Sequence, residues 1–426
     1  MSGILFLVFF ILLFAGVPVA FSLGLSSFVF LFFTGVPLEV IPQRMFAGMN
    51  AFTLLCIPGF VLAGNLMNSG GITKRIIGFC NAFVGHIRGG LGIANVGSSM
   101  VFAGISGTAL ADTASIGGIM IPAMKDVGYE ADFSAAVTAS SSTIGPIIPP
   151  SLPMIIVGTL TGVSVSKMFL AGTIPGLLLG FGMMAVSYGI SKKRNHPKGR
   201  KSTVKEKWDT FKDAFWAIML TVLILFGILG GVFTPTEASV GAVIYAVIVG
   251  KFVYKELKIK ELPKILLDSI VSTSTIMLLV GFANLFAWIL TSQQIPQLIA
   301  NGILSFSTNK IVVLLLINVL LLFVGTFMET IAALVILFPV LLGVVTPLGV
   351  DPIQFGVIMV LNLIIGLTTP PVGVCLFVAS SIGKVSMVKT VKAIIPFLLL
   401  SIVVLMLVTF VPAVSLTLPN ILLGGH

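Results

Sequence analysis

Apolar runs of nearly membrane-spanning length recur from one end of this chain to the other, and polar residues are confined to short stretches between them. A helix needs about 20 apolar residues to cross a bilayer. Crossings are read at 3–15, 17–34, 51–70, 168–190, 213–231, 235–250, 267–291 and 393–411. Two more segments, 130–162 and 351–382, are long but broken by prolines. Two others, 91–125 and 310–345, read as re-entrant hairpins with a Gly-containing polar turn at the centre. Segment 3–15 is short, so one bent helix with 17–34, kinked at Pro18, is an alternative. Backbone polar groups in hydrocarbon must pair within the chain. The expected fold is therefore an all-α polytopic membrane protein of about ten crossings plus two hairpins. Charged residues make up only 9% of the chain, against roughly 25% in a soluble domain. A secreted, cytosolic or disordered chain is excluded.

The 24 Lys and Arg test this layout. The longest polar run, 191–212, is basic and belongs in the cytoplasm. Threading outward puts Lys74, Arg75, Arg88, Lys125, the cluster from Lys251 to Lys264, Lys384, Lys389 and Lys392 on the same side. Only Arg44, Lys167 and Lys310 fall on the other, and both termini are then expected outside, in the periplasm. The +10 balance is thus a matter of topology, with no nucleic-acid partner implied. The first residues, MSGILFLVFFILLF, lack a basic leader and read as a retained span. Cys56, Cys80 and Cys375 have no metal spacing and imply no disulfide framework.

The chain repeats itself. IGPIIPP at 144–150 recurs as IGLTTPP at 365–371. Gly107 and Thr108 recur as Gly325 and Thr326, and an acid followed by Thr comes after each pair, at Asp112 and Glu329. Pro18, Ser22 and Gly24 match Pro235, Ser239 and Gly241. The first repeat is read as 1–190, the connector as a basic linker at 191–212, and the second repeat as 213–426. Each half has an odd number of crossings, so the second copy is expected upside down relative to the first. Inverted repeats with broken helices are a transporter architecture, with the site near the midplane.

Prolines at membrane depth need a reason. Pro146, Pro149 and Pro150 remove amide donors and stop a helix near Gly145. The break frees carbonyls suited to a cation and opens a helix N-terminus at Ser151 suited to an anion. The second break repeats this with Thr368 and Thr369. Gly, Ser and Thr at the hairpin tips supply close backbone approach and hard oxygen ligands, which alkali cations prefer. Two Na+ sites are expected. One uses Ala103, Ser106, Gly145 and Ile148; the other uses Gly325, Thr326, Gly366, Thr369 and Val372. Candidate substrate contacts are Thr108, Asp112, Ser151, Glu329 and Thr368. The two acids either act on substrate or merely stabilise helix N-termini; as proton carriers they would make the chain a proton-coupled transporter.

At these residues the chain resembles the large membrane subunit of tripartite ATP-independent periplasmic (TRAP) transporters. The matching stretches are GVPVAFSLG at 16–24, SGTALADTASIGGIMIPAMKDVGY at 106–129, STIGPIIPPS at 142–151, GGVFTPTEASVGA at 230–242 and IGLTTPPVG at 365–373. The resemblance implies a bacterial or archaeal inner-membrane, Na+-coupled importer of an organic acid, a C4-dicarboxylate, sialic acid or related sugar acid, working as an elevator. Hairpins and broken helices would form the moving transport domain. The other helices would form the scaffold, with amphipathic arms at 72–89 and near 295–306. It also implies two partners, a small four-helix membrane subunit and a periplasmic substrate-binding protein. Because the chain starts with its first span, the small subunit is expected to be a separate polypeptide. A membrane-embedded enzyme is disfavoured, since no HExxH or GxSxG occurs, and no GxxxxGK[ST] serves a primary pump. A channel also fits inverted repeats, but Gly/Thr-capped hairpins beside broken helices favour occluded binding.

Overall fold

A computed structural model describes residues 2–295, 297, 298, 302 and 309–424, and only the backbone of 2 and 104–106. Among these residues the secondary structure is helical, with no β-strand. Seven helices are long and apolar enough to cross a membrane, and eight apolar helices are shorter. The long ones include Phe52–Ser69, Val165–Lys193, Val204–Leu229, Pro235–Val253 and Met387–Phe410, over the segments read as crossings.

The hairpins and breaks form. The first hairpin has arms Gly90–Ser106 and Ala109–Asp126, the second Lys310–Gly325 and Thr330–Val345. The first broken helix is Ala131–Ser142 followed by Leu152–Thr161; the second is Pro352–Gly366 followed by Val374–Gly383. Each intervening turn holds one cis Pro–Pro bond, Pro149–Pro150 and Pro370–Pro371.

The charged contacts sort the ends of the helices. Arg75 pairs with Asp213 at 3.1 Å and with Glu256 at 2.7 Å. Arg88 bonds Asn195, and Lys125 donates to the Gly383 carbonyl. These mark the end from which the first hairpin enters. Lys310 donates to the Gly349 carbonyl at the base of the second hairpin, and Lys167 to the Gly424 carbonyl. The hairpins enter from opposite ends, which makes the repeats inverted.

Helices pack in two groups that also touch each other, Ile72–Val84 on Gly90–Ser106 and Leu262–Ser292 on Thr330–Val345. Val165–Lys193 and Met387–Phe410 pack with the first hairpin and the broken helices. Cys56–Ser69, Ile72–Val84, Val204–Leu229, Pro235–Ile248 and Leu262–Ser292 form the other.

Residues 3–34 form two helices, matching the crossings read at 3–15 and 17–34 rather than the alternative of one helix kinked at Pro18. Ser2–Phe14 and Val19–Thr34 are separate and pack on each other, because Gly16 turns the chain at φ +83° and Pro18 caps the second helix. The linker is shorter than 191–212. Helix continues to Lys193, and the Thr203–Glu206 capping box starts the next helix at Val204. Helices Val40–Met49 and Ala413–Leu423 were not anticipated. The arm at 72–89 is a helix over Ile72–Val84; most of the arm read near 295–306 lies outside the described residues.

Candidate functional site

A cavity of about 780 Å³ lies where the two tips, the two breaks and the second group of helices meet. Small-molecule sites run roughly 300–1,000 Å³. Five helices start at its wall, counting Val19–Thr34, whose Pro18, Val19 and Ala20 line it. Their first residues there include Thr108 and Ala109, Pro153, Thr330 and Ile331, and Val374 and Cys375. A helix N-terminus carries about half a positive charge; these ends face the cavity together with the Glu329 carboxylate, and no Lys or Arg lines it.

Local sequence explains three of these starts. Thr108 is extended, follows Gly107 at φ +63°, and accepts the Ala111 amide, capping the helix. Ser151 caps Leu152–Thr161 by accepting the Met154 amide, while its hydroxyl donates to the Pro146 carbonyl. Glu329 caps Thr330–Val345, its Oε2 accepting the Ile331 amide at 2.8 Å and the Ala332 amide at 3.1 Å.

Thr108 and Glu329 are brought onto one cavity wall. Ser151 and Thr368 are buried behind it, Thr368 donating to the Ile365 carbonyl. Asp112 is also buried, its carboxylate against Gly145 and beside Cys375 and Thr113.

The matched pairing of Asp112 with Glu329 is corrected. Asp112 lies within the first turn of its helix, whereas Glu329 is the cap before its helix. The residue holding the Glu329 position in the first repeat is Thr108. The Thr108–Glu329 separation of 221 residues is also that of Gly145 from Gly366 and Pro150 from Pro371. The tips differ locally: the first turns at Gly107 alone, while the second spans Thr326 to Met328.

Both proposed cation positions join a tip to a break. In the first, a Cβ on Gly107 would lie 3.4 Å from the Leu152 nitrogen and 3.6 Å from the Pro150 oxygen. Ala103 and Ile148 are buried nearby in sequence, and the Ser106 side chain lies outside the described residues. In the second, Gly325 packs on Gly366, and the Gly373 amide donates to the Thr326 carbonyl at 3.2 Å. The Thr326 and Thr369 hydroxyls donate to Phe323 and Ile365 carbonyls, and the Gly366 carbonyl accepts the Thr369 amide. Each oxygen keeps a lone pair for a cation. Val372 is exposed. Among the described residues, no His/Cys/Asp/Glu cluster suits a transition metal.

One wall was missed from the sequence: Asn65, Asn68, Ser272 and Thr275, with Ser115 of the first hairpin. Asn65 donates to Ser269, and Asn68 bridges to Ser115 at 3.1 Å. The signal was available, because polar residues three apart in otherwise apolar crossings share one helix face.

The family model for the DctM component of the tripartite ATP-independent periplasmic transporter matches residues 6–414. The chain is 42% identical over 414 residues to the sialic acid TRAP transporter large permease protein SiaM of Vibrio cholerae, covering 97% of each. It is 42% identical over 400 residues to the C4-dicarboxylate TRAP transporter large permease protein DctM of Pseudomonas aeruginosa, covering 94% of each. Its fold is similar to the crystal structure of the Alcanivorax borkumensis YdaH transporter, at TM-score 0.62 and 14% identity, over 89% of this chain and 90% of that one.

Proposed function

The chain belongs to the DctM component family of tripartite ATP-independent periplasmic transporters, and from that premise we propose that it imports an organic acid by Na+-coupled elevator transport. It is a multi-pass membrane transporter subunit and not an enzyme. The substrate is sialic acid, a related sugar acid or a C4-dicarboxylate, the classes named for its relatives. A periplasmic binding protein delivers it, and a small four-helix subunit completes the membrane complex. Both termini face the periplasm of a bacterial or archaeal inner membrane.

The observation that carries this reading is the convergence of five helix N-termini on one cavity without Lys or Arg. Such a wall attracts a carboxylate yet leaves it free to depart. Two or more Na+ ions, bound where the tips meet the breaks, order those tips and so complete the substrate site. Binding of either solute then favours the other by linkage. The hairpins and broken helices move as one group past the helices bearing Asn65 and Ser272, exchanging the sides from which the cavity is reached.

Reconstituted uptake tests it. Liposomes holding this chain and its small subunit, supplied with the binding protein and labelled N-acetylneuraminate or succinate, are expected to accumulate solute only with an inward Na+ gradient. Undiminished uptake on a proton gradient alone would establish the proton-coupled reading instead. Flux far above transporter turnover would indicate a channel.

A further inference from the structure

Where the helix Ile72–Val84 crosses the start of Val204–Leu229, aromatic rings connect the two. Phe83 lies 4.9 Å from Phe79, Phe79 6.0 Å from Phe211, and Phe211 5.6 Å from Trp208. Two ammonium groups sit over exposed members of this chain. Lys207 Nζ is 5.4 Å from the Phe83 ring centre, and Lys212 Nζ is 5.6 Å from that of Trp208. Phe83 is 44% and Trp208 56% exposed, far more than buried packing would leave.

Two of the three nearby acids are engaged elsewhere, and the third, the exposed Asp209, stands between the two lysines without an ion pair among the described residues. Asp213 pairs with Arg75 and Glu206 with Arg200, and among the described residues no ion pair includes Lys207 or Lys212. A ring face holds an ammonium in place without neutralising it. The junction lies at the end of the molecule that carries the basic residues, just before Val204–Leu229 becomes wholly apolar. Exposed Trp and Phe at that depth rest below the lipid headgroups, and lysines beside them reach the phosphates. The arrangement is a pair of cations held above an aromatic floor, with two of the three neighbouring acids drawn off to Arg75 and Arg200.

We propose that the Lys207–Lys212 pair, on the floor of Phe83 and Trp208, binds the headgroup of an anionic phospholipid of the cytoplasmic leaflet. The bound lipid holds the crossing of the two helices at a set depth in the bilayer.

Tryptophan quenching tests the site without any transport assay. The chain has three tryptophans; replacing Trp216 and Trp288 by Phe leaves Trp208 as the reporter. In nanodiscs, brominated phosphatidylglycerol is expected to quench it at a lower mole fraction than brominated phosphatidylcholine, by roughly fivefold per lysine. K207Q/K212Q is expected to abolish the difference, and K192Q/K193Q, which removes equal charge elsewhere, to preserve it. Native mass spectrometry of retained phosphatidylglycerol gives a second readout in the unsubstituted chain. Equal quenching by both lipids overturns the proposal. So does equal loss in the two double variants, which would indicate a diffuse field. Abolition by inorganic phosphate at matched ionic strength would assign the pair to a soluble anion and also overturn it.

Discussion

Gly325 and Gly366 meet backbone to backbone: a Cβ added to Gly325 would fall 3.1 Å from the Gly366 Cα and 2.8 Å from the Leu363 carbonyl oxygen. This contact joins the second hairpin tip to the second break. Any side chain at either position forces the two backbones apart, and with them the oxygens of the proposed second cation position.

Gly366→Ala is therefore expected to cost about 1–3 kcal/mol of overpacking and to reduce Na+-driven uptake at least roughly tenfold. Gly241→Ala, where a new Cβ would meet nothing within 4 Å, should transport normally. Uptake assayed in parallel for the two variants checks this, and wild-type Na+ dependence in Gly366→Ala would remove the second cation position.

Asp112→Asn keeps the shape that packs on Gly145 while deleting the charge. If the carboxylate supports the neighbouring cation, half-saturating Na+ rises about tenfold, or ~1.4 kcal/mol. An unchanged saturation curve would mean that Asp112 serves packing only.

Glu329 makes its cap through an acceptor oxygen, which Gln retains and Ala lacks. Glu329→Ala should destabilise the chain by about 1 kcal/mol and Glu329→Gln by much less. Thermal unfolding in detergent distinguishes them. If Glu329→Gln nonetheless fails to transport at normal stability, the charge itself acts on substrate.

The link between Glu130 and His196 gives a pH dependence outside the membrane. Burial opposes ionisation of Glu130, but the His196 hydrogen bond, the Glu130 backbone, and the charges of His196 and Arg194 together hold its carboxyl below the ordinary 4.5. A lowered folded-state pKa contributes stability above the ordinary value and loses it as pH falls through the folded one. Glu130→Gln should thus melt below the parent at neutral pH, and the gap should narrow as pH falls below the ordinary 4.5. A gap independent of pH would show that the charge is irrelevant.

Much of this was readable beforehand. The breaks at Pro146–Pro150 and Pro370–Pro371 follow from missing amide donors, a local property of the residues themselves. The hairpins followed from apolar length and a central Gly/Thr turn. The turn before Val19 was left open between hairpin and kink, and helix–helix packing decided for the hairpin. Reading failed in pairing Asp112 with Glu329. Sequence spacing suggested equivalence, but two tips of different shape put Thr108 where Glu329 stands.

By itself the amino-acid order determined the membrane class, the side on which the basic residues gather, the inverted repeat and the places where helices must break. Each depends on hydrophobicity, charge or backbone donors counted along the chain. Only the tertiary structure decided that Asn65, Asn68 and Ser272 share a cavity with both tips, that Asp112 faces Gly145, and that Gly325 touches Gly366. Such contacts depend on how closely segments hundreds of residues apart can approach, which side-chain volume at the crossing controls and no local pattern encodes.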